Sequence, residues 1–475
     1  MRGKVVAAFA VPVVLLLAGG GYVWADVEDR VPGWLTDEPL PPSPAPFLAA
    51  QTVTPGAGPL GPASALSEPG APGAAPMPSA AAIQALAQAL RDDPRTGAST
   101  SVAVVDLESG AVLADVAASD PQVPASTTKV LTTIAALHAL GPEHTFATRA
   151  VYNPARGELA LVAGGDMMLA ADAGHGGSLP AANGWAGLGD LADQAADALM
   201  AAGVNSVTVV YDDAAFPAPA APPEWPAYVI QLGYGAPVTG LAVNIAKTTD
   251  DFYSKRWPQP SANAAEVFAA RLTERGIAAS LGGARANAAG DVVGTVESAP
   301  LWRIVEHTLH DSDNTIAELL GREVSRAAGG AATSTAAGPA IVATLANAGI
   351  DTSGLAIYDG AGYSTRNRIS ANQLVGALRW SLTDPEMRDF IEWLPIGSME
   401  GTVADRFGGS PAAGLLRAKT GSLTGVTSLA GIVQTADGRV LAFAVLADGM
   451  PAGQERPRAA IDEFVVAVAS CGCAA

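Results

Sequence analysis

Apolar segments lie near opposite ends of the folded part of this chain and limit what it can form. Thr100 to Val116 reads as two strands joined by the Glu108-Ser-Gly110 turn. Ser428 to Thr435 and Arg439 to Leu446 read as two more, joined by a hairpin at Ala436-Asp-Gly438. Helical patterns dominate between them. Ser126–Leu140 follows Pro124 and stops at Gly141, and further helical runs fill Leu301 to Gly349. Ala81–Leu90 opens the folded part as a helix, and Ala459–Ala469 closes it as an amphipathic one. The expectation is an α+β domain whose antiparallel sheet combines strands from both chain ends and is flanked by helices. Residues 146–299 mix short strands (LALVAGG, SVTVVYDD) with Ala-rich helices and Pro-rich loops. They read as inserted α/β material within a domain made of 81–145 plus 300–475.

The first 80 residues are different. Residues 1–25 join a basic start (Arg2, Lys4) to an apolar run from Val5 to Ala25, which is an export signal cleaved near Ala25 or a retained membrane anchor. Both readings put the rest of the chain outside the cytoplasm, with membrane contact only through that segment. Residues 26–80 are rich in Pro, Ala and Gly. They cannot pack a core and read as an extended spacer or as tolerated low complexity.

Composition excludes several classes of function. With 27 Lys+Arg against 46 Asp+Glu, the net charge of −19 gives no basic footprint for nucleic acid. The two cysteines, Cys471 and Cys473, sit in the C-terminal tail and provide neither a disulfide framework nor a four-Cys zinc site. His307 and His310 share a helix face, but no third ligand stands at metal-like spacing, so the histidines read as structural.

Lysine is scarce: Lys4, Lys129, Lys247, Lys255 and Lys419 are the whole set. Two of the five fall in motifs able to do chemistry. Ser126-Thr-Thr-Lys129 places a hydroxyl and an amine one helical turn apart at a helix start, where negative charge on oxygen is favoured. The amine becomes a base if burial lowers its pKa. Taken alone, the pattern equally fits an N-cap serine beside a surface lysine. Ser312-Asp-Asn314 sits between two helical stretches, where its hydroxyl can relay a proton and its amide can hold a carbonyl. Taken alone, it also fits a helix cap. Lys419-Thr-Gly-Ser422 lies on a strand. There Lys419, Thr420 and Ser422 can bind a carboxylate, and Gly421 lets a substrate backbone approach. An ordinary edge strand is the plainer reading of that motif alone.

Ser-x-x-Lys, Ser-x-Asn and Lys-Thr-Gly in this order form the constellation of serine β-lactamases and penicillin-binding proteins. Together with Leu161-Val-Ala-Gly-Gly-Asp166, Tyr211-Asp-Asp-Ala-Ala-Phe216, Tyr234-Gly-Ala-Pro-Val238 and Tyr358-Asp-Gly-Ala-Gly362, the sequence from about Ile83 to Ala469 resembles one family. It is similar to the class C penicillin-binding proteins, the D-alanyl-D-alanine carboxypeptidase/endopeptidases of peptidase family S13. The resemblance implies a transpeptidase/β-lactamase-like domain interrupted by additional domains between Ser126 and Ser312.

It also implies roles. Ser126 is the acylated nucleophile and Lys129 its base, while Ser312 passes a proton to the leaving D-alanine, with Lys419 nearby holding the field positive. Asn314 binds the acyl-side amide. Thr420 and Ser422 bind the terminal carboxylate, beside Gly421. The backbone N–H groups of Ser126 and Ser422 form the oxyanion hole. Asp212 matches a position that grips the amino end of the stem-peptide side chain. Where the family has Arg directly after the serine, this chain reads Ser364-Thr-Arg366, so the arginine is displaced by one. The implied partners are the peptidoglycan stem peptide and β-lactam inhibitors, with no metal or organic cofactor. Two other functions use the same fold: a serine β-lactamase, and a wall-binding protein without catalysis. No Glu-x-x-Leu-Asn-type segment is present to activate a deacylating water, and all five motif residues are intact. Both facts favour the peptidase.

Overall fold

The chain divides into two units, Met1–Glu68 and Pro69–Ala475. The computed structural model describes residues 75–97, 99–450 and 455–471, all in the second unit. The expected export segment, most of the expected spacer and Cys473 lie outside the described residues. Among the described residues no helix is long and apolar enough to cross a membrane.

The elements run in chain order as α1 (Ala80–Arg91), β1 (Ser99–Asp106), β2 (Val112–Val116), α2 (Thr128–Leu140), β3 (Ala147–Asn153), β4 (Glu158–Val162), β5 (Asp166–Leu169) and α3 (Leu188–Ala201). They continue with β6 (Ser206–Asp212), the short α4 (Ala227–Gln231), β7 (Leu241–Val243), α5 (Pro260–Glu274), β8 (Ala278–Ala284) and β9 (Asp291–Glu297). The chain then forms α6 (Leu301–His310), α7 (Asn314–Ala327), α8 (Ser334–Asn347), α9 (Ala371–Ser381), β10 (Leu416–Leu423), β11 (Val426–Gln434), β12 (Val440–Asp448) and α10 (Glu455–Ser470).

The first sheet has the order β10-β11-β12-β1-β2 and is antiparallel throughout, so strands from both chain ends do meet in one sheet. Its middle strands, β11, β12 and β1, are mostly apolar and buried because both of their faces are covered. In β1, Val102 and Val104 point to a core built with Ile83 of α1 and Phe464 of α10. The alternate residues Ala103 and Val105 point to the opposite core, with Ile134 of α2 and Leu374 of α9. In β12, Leu441, Phe443 and Val445 face the first core, and Ala442, Ala444 and Leu446 face the second. Each large side chain buried this way contributes roughly 1.5–3 kcal/mol.

The second sheet, β8-β6-β4-β3-β9, is mixed and is made wholly of strands between Ala147 and Glu297. β4, β6 and β8 run parallel, and α3 and α5 supply its covering core.

α2 is buried on all sides from Thr128 to Leu137, mostly by apolar residues but with Lys129 and three threonines among them, and runs through the middle of a core. It begins later than the sequence pattern predicts. Ala125–Thr127 form a separate 3-10 turn, and the α-helix starts at Thr128. The tightening has local causes: Ala125 has φ +49°, Thr127 Oγ1 donates to the Pro124 carbonyl, and Thr128 Oγ1 donates to the Ala125 carbonyl.

A buried ion pair joins strands from the two chain ends. Arg439, at the start of β12, donates from Nε to Asp106 Oδ1 (2.5 Å) and from a terminal nitrogen to Oδ2 (2.7 Å). Asp106 is fully buried, so losing its partner would leave an uncompensated charge. Arg439→Ala, which leaves the buried Asp106 carboxylate without its guanidinium, is expected to cost about 3–5 kcal/mol, read as a lower denaturant midpoint in urea unfolding.

Candidate active site

The three motifs meet at a cleft of about 680 Å³, whose lining includes Ser126, Ser312, Asn314, Thr420, Gly421 and Ser422. Lys129 and Lys419 lie directly beneath it and are fully buried. Each motif arrives on a different element: Ser126 on the turn before α2, Asn314 at the first position of α7, and Lys419 to Ser422 on the edge strand β10.

Lys129 Nζ donates to Ser126 Oγ (2.9 Å), Asn314 Oδ1 (2.7 Å) and the Ala361 carbonyl (2.6 Å). Two of these partners are oxygens that can only accept. A neutral amine therefore keeps its two protons on Asn314 and Ala361 and turns its lone pair to the Ser126 hydroxyl. The electrostatics favour that form. Burial drives the Lys129 amine down to about 7, against the opposing charges of Asp359 and Asp313. Lys419 Nζ donates to Ser312 Oγ (3.0 Å) and the Thr420 carbonyl (2.8 Å). Burial, and then the neighbouring Lys129, push its pKa well below the ordinary lysine value.

The supports of this pair are local. Ser312 has φ +53°, a conformation held by its surroundings rather than by preference. The helix cap beside it is Asp313, not Ser312: the Asp313 carboxylate accepts the Ile316 N–H (2.9 Å). Burial pushes the Asp313 carboxyl up, but the bond and charge of His307 and the charge of Arg256 outweigh it and hold the group at about 2. The Ala361 carbonyl is aimed by buried Asp359. That carboxylate accepts the backbone N–H groups of Gly362 (3.2 Å), Tyr363 (2.9 Å) and Ser364 (3.1 Å) and the Trp225 indole N–H (2.8 Å). Asn314 Nδ2 donates to the Tyr234 carbonyl (2.8 Å), which fixes the amide and leaves one N–H facing the cleft.

One expected residue is not among those that line the cleft. Asp212, at the end of β6, accepts from the Ala214 and Ala288 backbones (3.1 and 2.7 Å) and ties loops of the second sheet. Arg366 pairs with Glu224 (2.9 Å) and stacks on the Tyr358 ring (3.8 Å). Asp212 fills the matched sequence position but the backbone carries it elsewhere, whereas Arg366 stands one position beyond the family's arginine.

The sequence reading also missed residues that do line the cleft: Tyr234, Arg256, His307, Thr402 and Arg458. His307, read as structural, stands between Asp311 (3.2 Å) and Asp313 (3.8 Å). Burial lowers its pKa, and the two carboxylates raise it by more. Its spacing of four and six residues to those aspartates was the available signal.

Gly421 is where β10 passes closest to the nucleophile turn. A Cβ there would lie 2.1 Å from Ser428 Oγ, 2.7 Å from the Pro124 carbonyl and 3.0 Å from the Ser126 nitrogen. Gly421→Ala must displace β10 or the Ser126 turn. It is expected to slow acylation by benzylpenicillin about 100-fold with an unchanged circular dichroism spectrum.

A model of the D-Ala-D-Ala carboxypeptidase 3 (S13) family matches residues 82–256 and 245–471. Carboxypeptidase DacB of Mycolicibacterium smegmatis is 34% identical over 413 residues, covering 84% of this chain and 86% of the relative. A D-alanyl-D-alanine carboxypeptidase of an Actinomadura species is 28% identical over 428 residues, covering 76% of this chain and 79% of the relative. Among solved structures, penicillin binding protein 4 of Haemophilus influenzae has a TM-score of 0.66 at 20% identity, covering 80% of this chain and 98% of its own. That likeness shows the fold, an antiparallel sheet between helices with added α/β material. Because the family model spans nearly all the described residues and the Mycolicibacterium relative is 34% identical over more than four-fifths of both chains, this chain belongs to the D-Ala-D-Ala carboxypeptidase 3 (S13) family.

Proposed function

We propose that this chain is a serine-type D-alanyl-D-alanine carboxypeptidase/endopeptidase that cleaves peptidoglycan stem peptides through an acyl-serine intermediate and is acylated by penicillins. The observation that carries this reading is the Ser126 hydroxyl 2.9 Å from the amine of fully buried Lys129. The names of its relatives support the substrate class.

The neutral Lys129 amine takes the Ser126 proton as Oγ attacks the carbonyl carbon of the penultimate D-alanine. Negative charge develops on the carbonyl oxygen and is met by the backbone N–H groups of Ser126 and Ser422. Such a hole contributes about 3–4 kcal/mol per donor removed in comparable enzymes. Ser312 gives its proton to the departing amine nitrogen as the peptide C–N bond breaks and regains the proton that Lys129 took from Ser126, with Lys419, whose Nζ lies 3.0 Å from the Ser312 hydroxyl, holding the field positive. Asn314 holds the acyl-side amide. Thr420 and Ser422, beside Gly421, receive the terminal carboxylate on the open edge of β10. Water then attacks the acyl carbon and gives a proton to the neutral Lys129 amine; the acyl C–Oγ bond breaks, and Ser126 Oγ takes that proton back. No step calls on a metal or an organic cofactor.

The same reading takes 81–145 with 300–475 as the catalytic domain and 146–299 as an insertion, supported by the confinement of the second sheet to strands between Ala147 and Glu297. Residues 1–25 then export or anchor the enzyme, and its action is extracytoplasmic.

Two predictions follow from the chemistry. Benzylpenicillin should add one acyl group to the wild type, seen by intact mass, and none to Ser126→Ala. An adduct on the variant would sink the assignment. Lys129 is a base only when neutral, and its pKa is about 7, so the neutral fraction grows as pH rises. Acylation should therefore rise about tenfold per pH unit below 7 and level off above it. A flat profile from pH 5 to 9 would contradict Lys129 as the base.

A further inference from the structure

The outer edge of β10 is only partly free. The segment after Leu394 runs along it: Ile396 bridges Arg417, the Gly397 N–H donates to the Leu416 carbonyl, and the Ala418 N–H donates to the Pro395 carbonyl. The segment then turns away, and the edge opens at Thr420, where a substrate strand would add. The last contact before the opening joins two side chains. Thr420 Oγ1 and Thr402 Oγ1 are 2.8 Å apart, and both residues line the cleft.

Thr402 is held firmly. It sits in the one-turn 3-10 helix Gly401–Val403, and the next side chain, Val403, is fully buried in the core with Phe407 and Leu416. Gly401 has φ +53°, and a Cβ on it would lie 2.6 Å from the His310 carbonyl. The turn is therefore seated against the end of α6, two residues before Ser312. Its position is fixed relative to both the Ser312 loop and β10.

A threonine hydroxyl has one proton and two lone pairs. In the resting structure the Thr420 hydroxyl donates to Thr402. Lys419 does not serve that hydroxyl, because its Nζ is bonded to the Thr420 carbonyl and to Ser312. A carboxylate only accepts. When it arrives, the Thr420 proton must turn to it, and Thr402 can then reverse its own hydroxyl and donate to Thr420 Oγ1. The chain Thr402 to Thr420 to carboxylate has every member satisfied, and each bond polarises the next.

We propose that Thr402 is a positioning residue that sets selectivity for a free C-terminal carboxylate by orienting and polarising the Thr420 hydroxyl. This rests on the reading of the cleft as a D-alanyl-D-alanine peptidase site.

The test uses diacetyl-L-Lys-D-Ala-D-Ala and its C-terminal amide, each measured as a competitor of acylation by a fluorescent penicillin, so that the amide registers without being turned over. In Thr402→Val the acid should bind about tenfold more weakly, while the amide changes by less than about twofold. Thr402→Ser, which keeps the hydroxyl, should restore the acid to within about twofold. Turnover of the acid should fall mainly through KM. Equal weakening of both peptides in Thr402→Val and in the smaller Thr402→Ala would overturn the proposal. So would unchanged binding of the acid, or loss of acylation in the valine and serine variants alike. Wild-type protein that takes neither the fluorescent penicillin nor the acid peptide would instead remove the peptidase reading itself.

Discussion

The burial of one lysine organises this structure. Removing an ammonium group from water is so unfavourable that an isolated buried amine gives up its proton instead. Lys129 is fully buried, and every contact of its nitrogen comes from a different part of the chain: Ser126 from its own turn, Asn314 from α7 and Ala361 from the loop after α8. The helix that carries it is buried on all sides, so the amine cannot swing out to solvent. The same desolvation that costs stability supplies a base poised near neutral pH.

The elements around that amine hold conformations that none would choose in isolation. Ala125 (φ +49°) and Ser312 (φ +53°) lie beside the two serine hydroxyls, and each is over-determined by neighbouring bonds. Gly362 and Gly421 mark the places where backbones press against the nucleophile turn. A Cβ on Gly362 would lie 2.0 Å from the Ala125 carbonyl, and one on Gly421 would lie 2.7 Å from the Pro124 carbonyl. The polar network behind them is closed. Asp359 gathers three backbone N–H groups, and Glu318, buried in α7, accepts the Gly360 N–H (3.0 Å). Buried carboxylates satisfied in this way lock a loop that has no regular secondary structure to hold it.

Residues between Ala147 and Glu297 also reach into the site. The Tyr234 carbonyl fixes the Asn314 amide, the Trp225 indole completes the shell of Asp359, and Arg256 lines the cleft while binding the Gly233 and Ile245 carbonyls. Arg256 and His307 together keep Asp313 ionised, and Asp313 caps the helix that begins with Asn314. The cleft is therefore a joint product of sequence segments more than 100 residues apart.

Much of this was legible in the sequence. The paired strands at each chain end, the terminal helices and the three lysine- and serine-bearing motifs all rest on short-range patterns: period-two and helical apolar spacing, and residues one turn apart. Those patterns place Lys129 and Asn314 on helices and Lys419 on a strand, with Ser126 and Ser312 just before the two helices, whereas the positive φ of Ala125 and of Ser312 is imposed by the tertiary surroundings. What the sequence could not supply was everything that depends on where separate segments pass each other. It assigned Asp212 to the cleft, whereas β6 carries it to the second sheet. It gave no role to Thr402, because its partner Thr420 lies 18 residues away on β10 and only packing brings the two together; it read His307 as structural although Asp311 and Asp313 stand only four and six residues away. The depressed basicity of Lys129 was decided there too. A lysine's pKa follows from the water it loses and the charges it meets, and both are properties of the assembled core rather than of any stretch of sequence.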